Sequence, residues 1–298
     1  MTLFSKIIAR KWLVLAKWFV PVLCVGLPLS AQAHRAWLLP SATVLSGDGD
    51  LWVTVDAAVS NDLFYFEHQP MRIANLGTKP ETTGARGGPG AQLTITAPDG
   101  SKVEALNGTT GRYRSSFDVP LKQKGTYRLA LLNEGVFASY KEGGQVKRWR
   151  GSAENFAKEV PQNAQDLQAS FLQSRIETFV TSGKPTKDIL KITGAGLELA
   201  PVTHPNDMTA GNEATFQLML DGKPAGNVKI SVVPGGNRYR DKLGEMNLTT
   251  DADGKFTVKW PEPGMYWMEA VVRDEAAPIK EVKQRRAGYS ATFEVLPQ

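Results

Sequence analysis

Ala91-Gln-Leu-Thr-Ile-Thr-Ala97, Pro98-Asp-Gly100 and Lys102-Val-Glu-Ala-Leu106 form the stretch that decides the fold. Its two arms alternate apolar and polar residues, the period-two mark of a half-buried β-strand. Pro-Asp-Gly between them supplies the preset φ and the left-handed position that a tight turn needs. The same pattern runs outward. Upstream, His34-Arg-Ala-Trp-Leu-Leu39 reads as a short strand ended by Pro40. Leu51-Trp-Val-Thr-Val-Asp-Ala-Ala-Val59 follows the turn Ser46-Gly-Asp-Gly-Asp50, and 77–90, rich in Gly, Thr and Pro, reads as a loop. Downstream, 113–119 and 125–132 add two strands. Short strands repeated between turn signals predict an antiparallel sandwich.

The pattern then breaks. Residues 143–150 are basic and read as a solvated loop in which Trp149 packs. Over 152–175 the spacing shifts toward helix, with Leu167, Phe171 and Leu172 at separations of four and five and Pro161 dividing the segment. Residues 176–181 return to strand, and Gly183-Lys-Pro185 and Gly194-Ala-Gly196 punctuate a linker. From Leu197 onward, 197–201, 214–220, 227–233, 248–250, 255–260, 264–272 and 291–295 read as strands. About seven strands in about 100 residues is the signature of an immunoglobulin-like sandwich. The expected fold is therefore all-β. A first β-sandwich domain spans 34–195 with a helical insertion at about 152–175, and an immunoglobulin-like domain spans 196–298.

Residues 1–33 read as a signal peptide. Lys6, Arg10, Lys11 and Lys17 precede or enter an apolar run from Trp18 to Leu29, too short for a comfortable membrane span. Ala31-Gln32-Ala33 is the small-x-small pattern cut by signal peptidase. Cleavage after Ala33 predicts a periplasmic protein with no membrane span, and Cys24 leaves with the leader. The exported chain then carries 31 basic against 30 acidic residues, so a nucleic-acid partner drops out. It also carries no cysteine, which excludes disulfides, thiolate metal sites, iron–sulfur clusters and a cysteine nucleophile. Its roughly 265 residues are ample for two packed cores.

Cleavage makes His34 the first residue. Its α-amine and ring Nδ1 can close a chelate on one metal ion, and one further imidazole completes a T-shaped, three-nitrogen site that suits copper(II) or nickel(II). The chain has three histidines, His34, His68 and His204, none in a familiar metal spacing. His68 follows the aromatic run Leu63-Phe-Tyr-Phe66, and alternation puts Phe64 and Phe66 on its side of the chain, with Tyr65 and Glu67 opposite. His68 is the expected second ligand. His204, before Pro205, is the weakest candidate, since His-Pro-Asn-Asp is also a good turn. Asp62 and Glu67 are candidates to orient an imidazole or supply an oxygen. Asp251-Ala-Asp-Gly254 resembles the start of a calcium loop but lacks its later ligands and reads as a hairpin turn. Arg285-Arg286 and Lys147-Arg148-Trp149-Arg150 read as solvated loops.

Five segments carry a family resemblance: Ala33-His34-Arg-Ala-Trp37-Leu-Leu-Pro40, Leu197-Glu-Leu-Ala-Pro201, Asp221-Gly-Lys-Pro224, Thr250-Asp-Ala-Asp-Gly254-Lys-Phe and Pro263-Gly264-Met-Tyr-Trp267. Together they resemble the DUF4198 family of bacterial exported proteins, often labelled nickel-uptake or cobalt-transport periplasmic components. The resemblance implies two β-rich domains behind a cleaved signal peptide, with histidine at the new N-terminus, and more weakly implies metal handling. Three functional expectations stay open. The first is a binding protein for copper, nickel or cobalt serving uptake or delivery, partnered by an envelope transporter or receptor. The second is a copper-dependent oxidative enzyme using the same histidine brace, as in polysaccharide monooxygenases. The third is a metal-free envelope recognition module.

Overall fold

The computed structural model describes residues 34–74, 76, 90–161 and 163–298. The leader, Cys24 and most of the expected loop at 77–90 lie outside the described residues. Three sheets build the fold, one above and one below a central sheet. The first sheet orders its strands Arg35–Pro40, Trp52–Ser60, Ser115–Pro120 and Leu106–Thr110, with Gln69–Pro70 added beside Trp52–Ser60. The third joins Leu197–Pro201, Glu213–Leu220 and Lys255–Lys259, with Lys223–Pro224 at its edge. Between them runs a ten-stranded sheet whose middle is formed by Gly264–Asp274, Gln284–Val295, Gln165–Ser182 and Gly125–Glu142.

Alternation along the central strands assigns a face to each core. On Gln165–Ser182, Ile176 and Val180 point into a core shared with Leu38, Val55 and Phe117 of the first sheet. Phe179, one residue out of phase, points into a second core with Phe216, Trp260 and Phe293. Both faces carry apolar residues here because both are covered. The first core draws on residues from 38 to 180 and the second on residues from 179 to 295. The two sandwiches share the central sheet, where Gln165–Ser182 pairs in parallel with Gln284–Val295 from Ser170↔Gln284 to Thr178↔Thr292. Ala33–Gln298 is one compact unit.

Two expectations are corrected between 143 and 175. The basic stretch is a strand, Gln145–Gly151, joined to Gly125–Glu142 by the two-residue turn Gly143-Gly144. Both glycines have positive φ, 58° and 79°, as a type I′ hairpin requires. The helix covers only Ala153–Glu159, capped by Ser152, whose Oγ accepts from the Asn155 amide at 3.2 Å. The segment expected to continue as helix is the strand Gln165–Ser182. Its four-and-five spacing has another origin. Leu167 and Phe171 face a small third core with Val136 and Phe156, while Leu172, one residue out of phase, lies on the opposite face of the strand.

Candidate metal centre

The site forms at the end of Trp52–Ser60. Arg35 registers against Ser60 on one flank, and Gln69 registers against Val59 through the short pairing of Gln69–Pro70. His34 and His68, each adjacent to one of these residues, are thereby brought together. Their rings stack with centroids 3.9 Å apart and planes 10° from parallel. Both residues are exposed. Sequence reasoning left open whether His68 reaches His34; the geometry brings the two side by side.

The loop between them rests on an aromatic cluster. Trp37 is fully buried, and its Nε1 donates to Ser60 Oγ at 2.8 Å, whose hydroxyl donates to the Asp62 carbonyl at 2.6 Å. Phe64 and Phe66 lie 5.5 and 5.6 Å from the Trp37 ring, so both share one side as alternation predicted, although the segment is a turn rather than a strand. Phe64 has φ +62°, a conformation unfavourable for a bulky residue. It is held there by Trp37 on one side and Gly235 on the other. A Cβ at Gly235 would lie 2.9 Å from the Phe64 ring and 3.0 Å from the Met265 carbonyl. The 61–68 loop is also tied to the second sandwich. Asn237 Oδ1 accepts from the Leu63 amide at 2.8 Å, Asn237 Nδ2 donates to Asp62 at 3.1 Å, and Arg238 lies 4.0 Å over the Tyr65 ring. Trp267, from the central sheet, donates to the Ala36 carbonyl at 2.9 Å. Sequence reasoning missed this clamp, since nothing in Gly235-Gly-Asn-Arg238 beyond a turn signal marks Asn237 as a partner for residues far away in the chain.

The carboxylates near the pair are committed elsewhere. Glu67 accepts from the Asn61 amide at 2.5 Å, and Asp62 is held by Asn237 and Arg238. Among the described residues, no three His, Cys, Asp or Glu side chains converge as a metal cage. A metal held by this pair would need a further donor, which a free α-amine on His34 could supply. The donor chemistry fits copper(II) or nickel(II). A ligating imidazole holds its metal in the plane of the ring, so two parallel stacked rings cannot both point at one ion. One exposed side chain must rotate for the pair to converge.

His204 takes no part. Its Nδ1 accepts from the Asn206 amide at 3.0 Å, and its Nε2 lies 3.0 Å from the Thr186 carbonyl and 3.1 Å from Thr126 Oγ1. This network assigns a neutral ring with its proton on Nε2. Burial pushes the His204 imidazole below its usual range, against the pull of the Thr186 carbonyl. Thr126 bonds to Thr181, which registers beside Val44, past the far end of Arg35–Pro40 from His34. At about 3.3 Å per residue the first strand alone separates them by roughly 20 Å. His204 is a turn and packing residue. The Asp251 carboxylate likewise serves its own turn, accepting from the Asp253 and Lys255 amides at 2.9 and 2.8 Å. Arg285, expected in a solvated loop, is buried in a strand, where Asp274 and Asp221 accept from it at 2.6 to 2.9 Å. No helix among the described residues is long and apolar enough to cross a membrane.

Solved structures that the chain matches include the D0–D1 domain of intimin, at 13% identity and a TM-score of 0.22 over 87% of this chain and 97% of that one. Trypsin-activated alpha-2-macroglobulin from Escherichia coli gives 13% identity and a TM-score of 0.21, with 90% of this chain and 16% of that one covered. Latent PorU from Porphyromonas gingivalis gives 14% identity and 0.20, over 94% of this chain and 22% of that one. No curated protein sequence is significantly similar to the chain. A family model does match, over residues 31–274, from the residues ahead of His34 through the strand that carries Trp267. The chain belongs to the DUF4198 family, a domain of unknown function.

Proposed function

We propose that this is a periplasmic binding protein for a divalent transition metal, copper, nickel or cobalt, held by the His34 amine and ring together with the His68 ring. Its role is uptake or delivery, in concert with an envelope transporter or receptor. One observation carries the reading. Two of only three histidines meet ring to ring at the predicted start of the exported chain, where His68 is carried on a loop clamped by both sandwiches. The clamped loop holds His68 beside His34, so a side-chain rotation rather than a rearrangement of the backbone brings the two imidazoles onto one ion, which reduces the ordering cost of binding. When bound, the metal would take nitrogen donors from these two residues.

Isothermal titration of the chain beginning at His34 tests this with copper(II), nickel(II) and cobalt(II) in turn. One equivalent is expected to bind. His68→Ala is expected to weaken binding by at least about tenfold, equivalent to about 1.4 kcal/mol. Affinity is expected to fall as pH is lowered, because amine and imidazoles must lose their protons to bind. An unchanged affinity in His68→Ala would sink the proposal.

A further inference from the structure

On the face of the central sheet that carries the first core, the apolar row continues beyond the covering sheet. Phe137 follows Leu131 in phase on one long strand, and Leu172 precedes Ile176 in phase on the other. Cross-strand register surrounds them with arginines. Arg150 pairs with Phe137, Leu172 with Arg286, and Arg286 with Arg273. The outcome is a cleft of about 500 Å3 with Phe137 and Leu172 among its lining residues and Arg273 and Arg286 on its walls. Arg150 lies 4.7 Å over the Phe137 ring.

The charges here are not balanced within the cleft. Arg285 and Asp274 satisfy each other, at 2.6 and 2.9 Å. Among the described residues, Arg286 has only Glu269 as an ion-pair partner, 4.0 Å away. Among the described residues, neither Arg150 nor Arg273 forms an ion pair. Burial pushes the Glu269 carboxyl up, against the pull of Arg286, Arg35 and Arg273, which weakens it further as a counter-charge. Glu275 is the remaining acid at the rim. Guanidinium forks match carboxylates in plane and spacing, and the size of the cleft suits a small molecule rather than a chain.

We infer that this cleft binds a small organic polycarboxylate, with its carboxylates on Arg150, Arg273 and Arg286 and its carbon skeleton on Phe137 and Leu172. The inference stands without the metal reading.

Citrate in metal-free buffer at about 0.15 M ionic strength, where unspecific attraction between exposed charges is screened, is the probe. Titrated into the chain 34–298, it is expected to bind saturably, one per chain. The pair Arg150→Gln with Arg273→Gln is expected to weaken binding at least about tenfold. The exposed pair Lys255→Gln with Lys259→Gln is expected to leave it unchanged. Thermal unfolding of each variant confirms that the fold is kept. Absence of saturation by about 10 mM citrate, a ceiling set well above useful affinity, would overturn the inference. So would an equal loss in the lysine pair, or binding confined to poly-glutamate or to anionic phospholipid vesicles. Because no metal is present, failure here leaves the His34 reading untouched.

Discussion

Arg175→Ala is expected to cost about 3–5 kcal/mol of stability at neutral pH, the usual effect of leaving a buried carboxylate without its partner. Arg175 is 8% exposed and sits between Glu177 and Glu198, each 2% exposed. Its guanidinium donates to Glu177 at 3.1 Å and lies 3.3 Å from Glu198. Tyr289, fully buried, donates its hydroxyl to the other Glu177 oxygen at 2.8 Å, and the backbone amides of Thr193, Gly194 and Ala195 all point at Glu198. These residues come from the strand Gln165–Ser182, the strand Leu197–Pro201 and the final strand, so the network joins the central sheet to the third sheet. Removing the one arginine leaves two buried carboxylates without their counter-charge. Urea unfolding at pH 7 measures the loss, and a change under about 1 kcal/mol would show the network to be dispensable.

Trp37→Ala is expected to cost a similar amount, about 3–5 kcal/mol, through a large cavity in a close-packed region. The more telling variant is Trp37→Phe, which keeps most of the volume but removes the Nε1 donor to Ser60. Ser60 in turn fixes the Asp62 carbonyl, and the Trp37 ring supports Phe64 in its left-handed conformation. Trp37→Phe is therefore expected to retain the fold with a modest drop in melting temperature, yet to weaken metal binding because the His68 loop loses its footing. Equal losses of stability and affinity in the two variants would argue that Trp37 serves the core alone.

Much of the fold was legible because strands and turns speak locally. The turn at Pro98-Asp-Gly100, the strand after Ser46-Gly-Asp-Gly-Asp50 and the strands of the second sandwich follow from alternation and turn residues alone, although the arm expected over 102–106 pairs with Gln92–Thr96 only at Lys102–Val103, and Leu106 opens a strand of the first sheet. The misreadings share a cause. Gln165–Ser182 packs Leu167 and Phe171 into one core and carries Leu172 on its opposite face, and apolar residues on both faces imitate helical spacing. Arg285 looked solvated because its partners, Asp221 and Asp274, arrive through long-range pairing. The candidate site was half legible. His34 could be singled out from the leader, while its meeting with His68 depends on the two-residue pairing of Gln69–Pro70 with Trp52–Ser60, which is too short to leave a pattern. Sequence position alone leaves His204 ambiguous between ligand and turn, whereas Thr126, Thr186 and Asn206 satisfy both of its ring nitrogens.

The central claim is that the His34 amine is itself a ligand, and one comparison tests it most directly. Copper(II) and nickel(II) are titrated into two preparations that differ by a single residue, one beginning at His34 and one retaining Ala33. Retaining Ala33 moves the amine off the histidine and breaks the chelate while leaving both imidazoles in place. The account predicts one equivalent bound by the chain starting at His34 and an affinity lower by at least about tenfold for the longer one. Equal affinities in the two preparations would contradict it.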